Sequence, residues 1–194
     1  MGSFACAMGV ASQVLTSLFL MGALTTTPQM SVQAASQTIV EDGVDGPTRA
    51  VNRMVGGIIS YARWPNGSNG TRTLCVVGTP QLTNRIAPSI PGRGGAVVVR
   101  RTTVAAVSSS EDCDILFLGR MPVADRQQLI AWVRGRPVLT ISDDDPTCIY
   151  GAMFCLTRRA AAFSFSVNLD AIGRGPLRVD PRVLKIGHGE GDAP

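Results

Sequence analysis

Four short runs constrain this chain more than any other feature: TLCVVG at 73–78, AVVVRR at 96–101, CDILFLG at 113–119 and PVLTIS at 137–142. Each is strongly apolar, rich in branched aliphatic side chains and bounded by glycine, proline or polar residues. Runs of this length and content read as strands, with TLCVVG a buried one and CDILFLG one with a continuous apolar core. Helical segments lie between and before them. Pro47 opens a helix at a position where its missing N–H is harmless, and Val51, Met54, Val55, Ile58, Ile59 and Ala62 give it one apolar face, ended by Trp64-Pro65. Gly56-Gly57 inside that helix costs about 1 kcal/mol per glycine relative to alanine, which points to close packing against another backbone. Thr79-Pro80 has the form of an N-cap and N1 pair and predicts a short helix through Ile86. A short helical or irregular piece precedes CDILFLG. ADRQQLIAWVRG at 124–135 is an amphipathic helix with Leu129, Ile130 and Val133 inward.

The last third reads differently. GAMFCLTRR and AAFSFSVNL form a hairpin with Arg158-Arg159 between them, and Phe163, Phe165 and Val167 alternate with Ser164, Ser166 and Asn168, as in a strand with one wet face. LDAIGRG is a short helix, and DPRVLKIG a final one with Asp180 as N-cap and Pro181 at N1. The class is therefore α/β: a single domain with a central, mostly parallel sheet flanked by helices and a C-terminal antiparallel hairpin.

Residues 1–34 carry no charged side chain. The apolar core from Val10 to Leu24 is short of the ~20 residues a spanning helix needs, and Val32-Gln33-Ala34 fits the small-residue rule for secretory cleavage. The reading is an export signal over 1–34, although its start lacks Lys or Arg; the alternative is a buried N-terminal helix. A flexible leader over 35–46, a folded domain over 47–187 and a disordered tail over 188–194 follow. No later apolar run could cross a membrane, so direct membrane insertion is not expected. The formal net charge is +4, and the arginines are scattered except for Arg100-Arg101 and Arg158-Arg159. No basic stripe with interleaved aromatics suggests nucleic acid.

Cleavage after Ala34 removes Cys6 and leaves Cys75, Cys113, Cys148 and Cys155. In an exported chain these imply two disulfides, with three possible connectivities. If TLCVVG and CDILFLG are neighbours in a 2-1-3 parallel order, Cys75 and Cys113 come within bridging distance. Cys148 and Cys155 would then close the loop CIYGAMFC, whose six-residue spacer is wrong for a redox C-x-x-C pair. Both pairs read as staples, and a regulatory role for the shorter one is the sharper alternative.

Catalysis has little support. The single histidine, His188, lies in the tail, which leaves no base for a Ser-His-Asp or Cys-His arrangement. No metal and no cofactor is expected. Asp143-Asp144-Asp145, after the strand PVLTIS, could hold Mg²⁺ or Ca²⁺; residues of this type before Pro146 are also ordinary turn formers.

The segments VNRMVGGIISYARWP, LCVVG, CDILFLGR, GRPVLTISDDDPTCIYGAMFC and FSVNLDAIGRGPLRVDPRVLKIG resemble, in order and spacing, the YfiR family of periplasmic proteins. The resemblance runs from Pro47 to Gly187. It implies a dimeric periplasmic repressor that binds the sensor domain of an inner-membrane diguanylate cyclase, YfiN, lowers cyclic-di-GMP and limits biofilm formation. It also implies sequestration by an outer-membrane lipoprotein, YfiB, and bridges Cys75–Cys113 and Cys148–Cys155. The expected partner-binding residues are Ile149, Tyr150 and Phe154 on the disulfide loop, with Ile172, Leu177 and Arg178 around the turn IGRGPLR. The competing reading is a small-ligand-binding module with its site near Gly78–Pro80 and Asp143–Asp145.

Overall fold

The computed structural model describes residues 32–34, 39–41, 43–65, 67, 70–92, 95–110 and 112–186. In chain order the elements are β1 (Val32–Ala34), β2 (Ile39–Val40), α1 (Gly46–Tyr61), β3 (Ala62–Arg63), β4 (Arg72–Val77), β5 (Val97–Thr102), α2 (Val104–Ser109), β6 (Ile115–Leu118), α3 (Val123–Val133), β7 (Leu139–Ser142), β8 (Phe154–Arg159), β9 (Ala162–Asn168), α4 (Leu169–Gly173) and β10 (Arg178–Val179), closed by a 3-10 helix, Pro181–Lys185. An eight-stranded sheet runs β1-β9-β8-β7-β6-β4-β5, with β2 also on β9; β10 and β3 form a separate pair. From β5 through β8 the pairing is parallel, and β8–β9 is the antiparallel hairpin.

The inner parallel strands β4, β6 and β7 are buried over most of their length because helices cover each side of the sheet, whereas the parallel edge strand β5 has no buried residue and exposes Val98. Leu74 and Val76 of β4 join a cluster under α1, while Cys75 and Val77 join a second cluster under α2 and α3. At α1, a Cβ on Gly56 would lie 2.0 Å from the Ser89 carbonyl oxygen, and one on Gly57 would crowd Ile186. The paired glycines therefore buy the close approach that their position in a helix suggested.

The segment from Thr79 to Ile86 is not a helix. Thr79 exchanges backbone hydrogen bonds with Arg120, so it is a bridge residue and not a cap. The amides that a helix would leave free are taken elsewhere: Gln81 and Leu82 N–H donate to the Asp143 carboxylate. Asn52 receives Ala87 N–H and donates to the Arg85 carbonyl. Tertiary partners have outcompeted a short local helix. Arg158 and Arg159 lie within β8, and the hairpin turns at Ala160, whose φ is +53°. The final helix is of the 3-10 type, with Asp180 capping through the Arg182 N–H.

Two N-terminal segments are ordered. The leader residues Ile39 and Val40 pair with Phe163 and Ala162, and Glu41 forms ion pairs with Arg49 and Arg53. Val32–Ala34, the last residues of the expected export signal, pair with Ser166–Asn168. The rest of that signal and the tail over 188–194 lie outside the described residues.

Candidate functional site: the loop closed by the short disulfide

β7 and β8 run parallel but overlap only at Ile141–Phe154 and Ser142–Cys155. The chain therefore never has to travel back along the sheet, and residues 143–153 suffice without a crossover helix. The Cys148–Cys155 bridge closes this connection, with Cα atoms 5.4 Å apart. Asp145, fully buried, organises it. Its carboxylate accepts the Ile149 and Tyr150 N–H groups at 3.2 and 2.8 Å, and its carbonyl accepts the Cys148 N–H. With their amides turned inward, Ile149 and Tyr150 hold their side chains outward, 51 % and 56 % exposed.

Three contacts fix the loop to its surroundings. Arg126 of α3 sits on the Tyr150 ring at 5.6 Å and bonds the Asp144 carboxylate at 2.8 Å and Ser142 Oγ at 3.1 Å. Gly151, at φ +98°, lies so close to α3 that a Cβ would be 2.9 Å from Ile130 Cγ2. Asn168 donates to the Cys148 carbonyl and caps α4 by accepting the Ala171 N–H. Between α3, the loop and α4 lies a small pocket of about 60 Å³, lined by Ile130, Val133, Met153, Ala171 and the polar Asn168 and Arg174 among others.

The second bridge, Cys75–Cys113, joins the adjacent β4 and the residue two before β6, with Cα atoms 5.8 Å apart. The 2-1-3 order that would bring them together is the order observed. Arg100 of the edge strand β5 places its guanidinium 3.6 and 3.7 Å from the two sulfurs.

The six expected partner residues divide. Ile149, Tyr150 and Arg178 are exposed, and Ile172 is half-buried against the main core. Phe154 and Leu177 are not exposed anchors: both are 0 % exposed. Phe154 is the first residue of β8, opposite Ile141 and Val167, and its ring lies 5.9 Å from Phe165 in the core. Leu177 precedes the exposed Arg178 on β10, and the alternation of a strand sends one side chain in and the next out. Arg178 itself lies opposite Arg63 on the separate two-stranded sheet.

The aspartate run is committed to internal structure. Asp143 holds the Gln81 and Leu82 amides, Asp144 holds Arg126 and stands 3.6 Å from Arg120, and Asp145 holds the loop. Burial pushes the Asp143 carboxyl above its usual range, against the opposing pull of the Leu82 and Gln81 N–H groups. Its Oδ1 has no hydrogen-bond partner among the described residues. Gly78 and Gly119 are packed against the Arg120 and Thr79 backbones, so the carboxyl ends of β4 and β6 are closed. Among the described residues no three His, Cys, Asp or Glu side chains group as metal ligands would.

Arg126 and Asn168 were missed from sequence, and only Arg126 left a signal. Arg126, Leu129 and Val133 are the buried residues of α3, spaced i, i+3, i+7, so a charged residue stands on the apolar face of a helix that precedes three aspartates. A buried cation requires an anion.

Among solved structures, this chain is similar to a single mutant of Thermus thermophilus aspartate aminotransferase, at 11 % identity over 71 % of this chain and 43 % of that one, with a TM-score of 0.42. It is also similar to a carbon-sulfur lyase involved in aluminum resistance from Clostridium novyi NT, at 14 % identity over 71 % and 41 %, with a TM-score of 0.41. The chain spans less than half the length of either, and likenesses this weak carry no argument about activity. The family comparison is of another order: residues 48–188, from the second residue expected for α1 to two residues past the last described one, match the family described as YfiR/HmsC-like. The chain belongs to the YfiR/HmsC-like family.

Proposed function

We propose that this protein is an exported repressor which binds the periplasmic domain of an inner-membrane diguanylate cyclase of the YfiN kind and keeps cyclic-di-GMP low. The observation that carries the reading is the family match over 48–188, which supports a periplasmic regulator of cyclic-di-GMP signalling in general. The specific partners, relief by a YfiB-like lipoprotein, dimerisation and cleavage after Ala34 are the finer parts of the proposal. Two cross-links in one domain suit an oxidising compartment. Among the described residues no helix is long and apolar enough to cross a membrane, so contact with the cyclase would be made by the folded domain. Ile149 and Tyr150, apolar, outward and held on a cross-linked loop, are the first contacts to examine. Such a loop pays little ordering entropy on binding.

The test is co-purification of the processed chain with the cyclase's periplasmic domain, together with cellular cyclic-di-GMP in strains with and without this gene. A complex and a rise in cyclic-di-GMP on deletion are expected. Unchanged cyclic-di-GMP, with no complex, sinks the reading.

A further inference from the structure

The outer edge of β9 is covered in two pieces. β2 pairs with Ala162 and Phe163, and β1 pairs with Ser166, Val167 and Asn168. β1 consists of Val32, Gln33 and Ala34, and Ala34 is the residue after which export processing is proposed to cut. Cleavage there removes all three residues that cover Ser166–Asn168 and leaves β2 in place. An uncovered edge strand presents unpaired N–H and C=O groups, a template for another strand.

We propose that the β9 edge at Ser166–Asn168 is a strand-docking site which export processing opens, and that its occupant in the processed protein is an extended, uncharged segment of the partner protein, antiparallel to β9. The occupant's character comes from the strand already seated there: three uncharged residues in antiparallel register, Val32 opposite Asn168 and Ala34 opposite Ser166. The position suits a regulatory contact. Ser166 pairs with Cys155 across β8–β9, its carbonyl lies 3.8 Å from Cys148 Sγ, and Asn168 holds the Cys148 carbonyl. A strand added here lies beside the short disulfide, within the neighbourhood of the loop that exposes Ile149 and Tyr150 and of the half-exposed Leu169. Backbone pairing along β9 and apolar contact with that loop would act together, as in other cases of strand addition.

The inference rests on the processing site in the proposed function, so the experiment separates the two. Protein recovered from the periplasm is weighed intact; a start upstream of Val32 removes the opening step and overturns the proposal. Two purified forms, beginning at Ser31 and at Ala35, are then compared by hydrogen exchange. The backbone amide of Val167, which faces the outer edge opposite Gln33, is expected to exchange at least about tenfold faster in the Ala35 form, while that of Asn168, which donates to the Met153 carbonyl, is expected to be unaltered. The synthetic peptide SVQAAS, residues 31–36, should slow that exchange in the Ala35 form and leave the Ser31 form unaltered. The cyclase's periplasmic domain should protect the same Val167 amide and displace the peptide. Equal exchange in the two forms overturns the site. Protection that instead grows with protein concentration and tracks dimer formation overturns the assigned occupant in favour of a second copy. A cyclase domain that binds both forms equally, without protecting the Val167 amide, overturns the docking while leaving the repressor reading intact. If the cyclase domain binds neither form, the repressor reading fails, and peptide protection confined to the Ala35 form still supports the edge as a strand site.

Discussion

On one side of the sheet α1 and the closing 3-10 helix cover Leu74, Val76, Ile115, Phe117, Ile141, Phe154, Phe163 and Phe165; on the other, α2 and α3 cover Cys75, Val77, Leu116, Leu118, Cys148 and Cys155. Among the described residues, all four buried phenylalanines lie on the first side and all four bridging cysteines on the second. The first cluster is the larger and buries its heaviest side chains completely. Burying a phenylalanine or leucine fully contributes roughly 1.5–3 kcal/mol, so the first side is self-sufficient in apolar surface. The second has smaller side chains and two short helices, and its deficit is met by covalent links that act on the unfolded chain. Cross-links have been placed where the core is thin.

The heaviest blow to the first side is Phe154→Ala, which leaves a cavity beside Phe165 and should destabilise the protein by about 3–5 kcal/mol. Urea denaturation measures it, and a loss under about 1 kcal/mol would break the contrast between the sides. Replacing Cys75 and Cys113 together by serine should remove about 4 kcal/mol on the chain-entropy estimate for this loop. The same double change at Cys148 and Cys155 should remove about 2.5 kcal/mol. Hydrogen exchange sharpens this: with the bridges gone, α2 and α3 should open before α1, and simultaneous opening of all three would contradict the division. A smaller, pH-dependent effect belongs to the α1 side. Asp180 is held at a pKa of about 2, chiefly by its hydrogen bonds from the Arg182 side chain and amide. A lowered folded-state value gives stability that is full above the unfolded carboxyl's 3.8 and is lost as pH falls toward 2. Asp180→Asn should flatten the acid limb of the unfolding midpoint in that window, and an unaltered limb would remove Asp180 from the account. Least of all in stability, Tyr150→Ala should shift the midpoint by under about 0.5 kcal/mol, because the side chain is more than half exposed. Its binding to the cyclase domain should nevertheless weaken; wild-type binding would take the loop out of the interface.

The parallel core was legible because continuous apolar runs such as CDILFLG have few other uses, and the hairpin because Phe163, Phe165 and Val167 alternate cleanly with polar residues. The glycine pair in α1 was legible as a close approach for the same reason: it is costly anywhere else. What failed was decided by distant partners. Thr79-Pro80 has the form of a helix start, yet Arg120 claims the Thr79 backbone and Asp143 the Gln81 and Leu82 amides. Phe154 looked like part of a protruding loop because its neighbours are loop residues, but the strand begins at Phe154 itself and the pleat turns it inward. Asp143, Asp144 and Asp145 read equally as ligands or turn residues, and only the positions of Leu82, Arg126 and Tyr150 decide between them. The N-terminal strands escaped notice because two or three residues carry no period.

The bridges join Cys75 to Cys113 and Cys148 to Cys155, so each described cysteine is tied to its immediate neighbour in the order of the chain. For a protein threaded across a membrane from its N-terminus, that order becomes a timetable. Cys75 arrives alone and waits for Cys113; Cys148 then arrives and meets Cys155 seven residues later. An oxidase that joins each thiol to the next one to emerge makes only native bonds. Rearrangement through mixed disulfides, a slow and error-prone stage of oxidative folding, is then not needed. Under the proposed export route, the same connectivity would let an oxidant alone, without an isomerase, bring the chain to its final form.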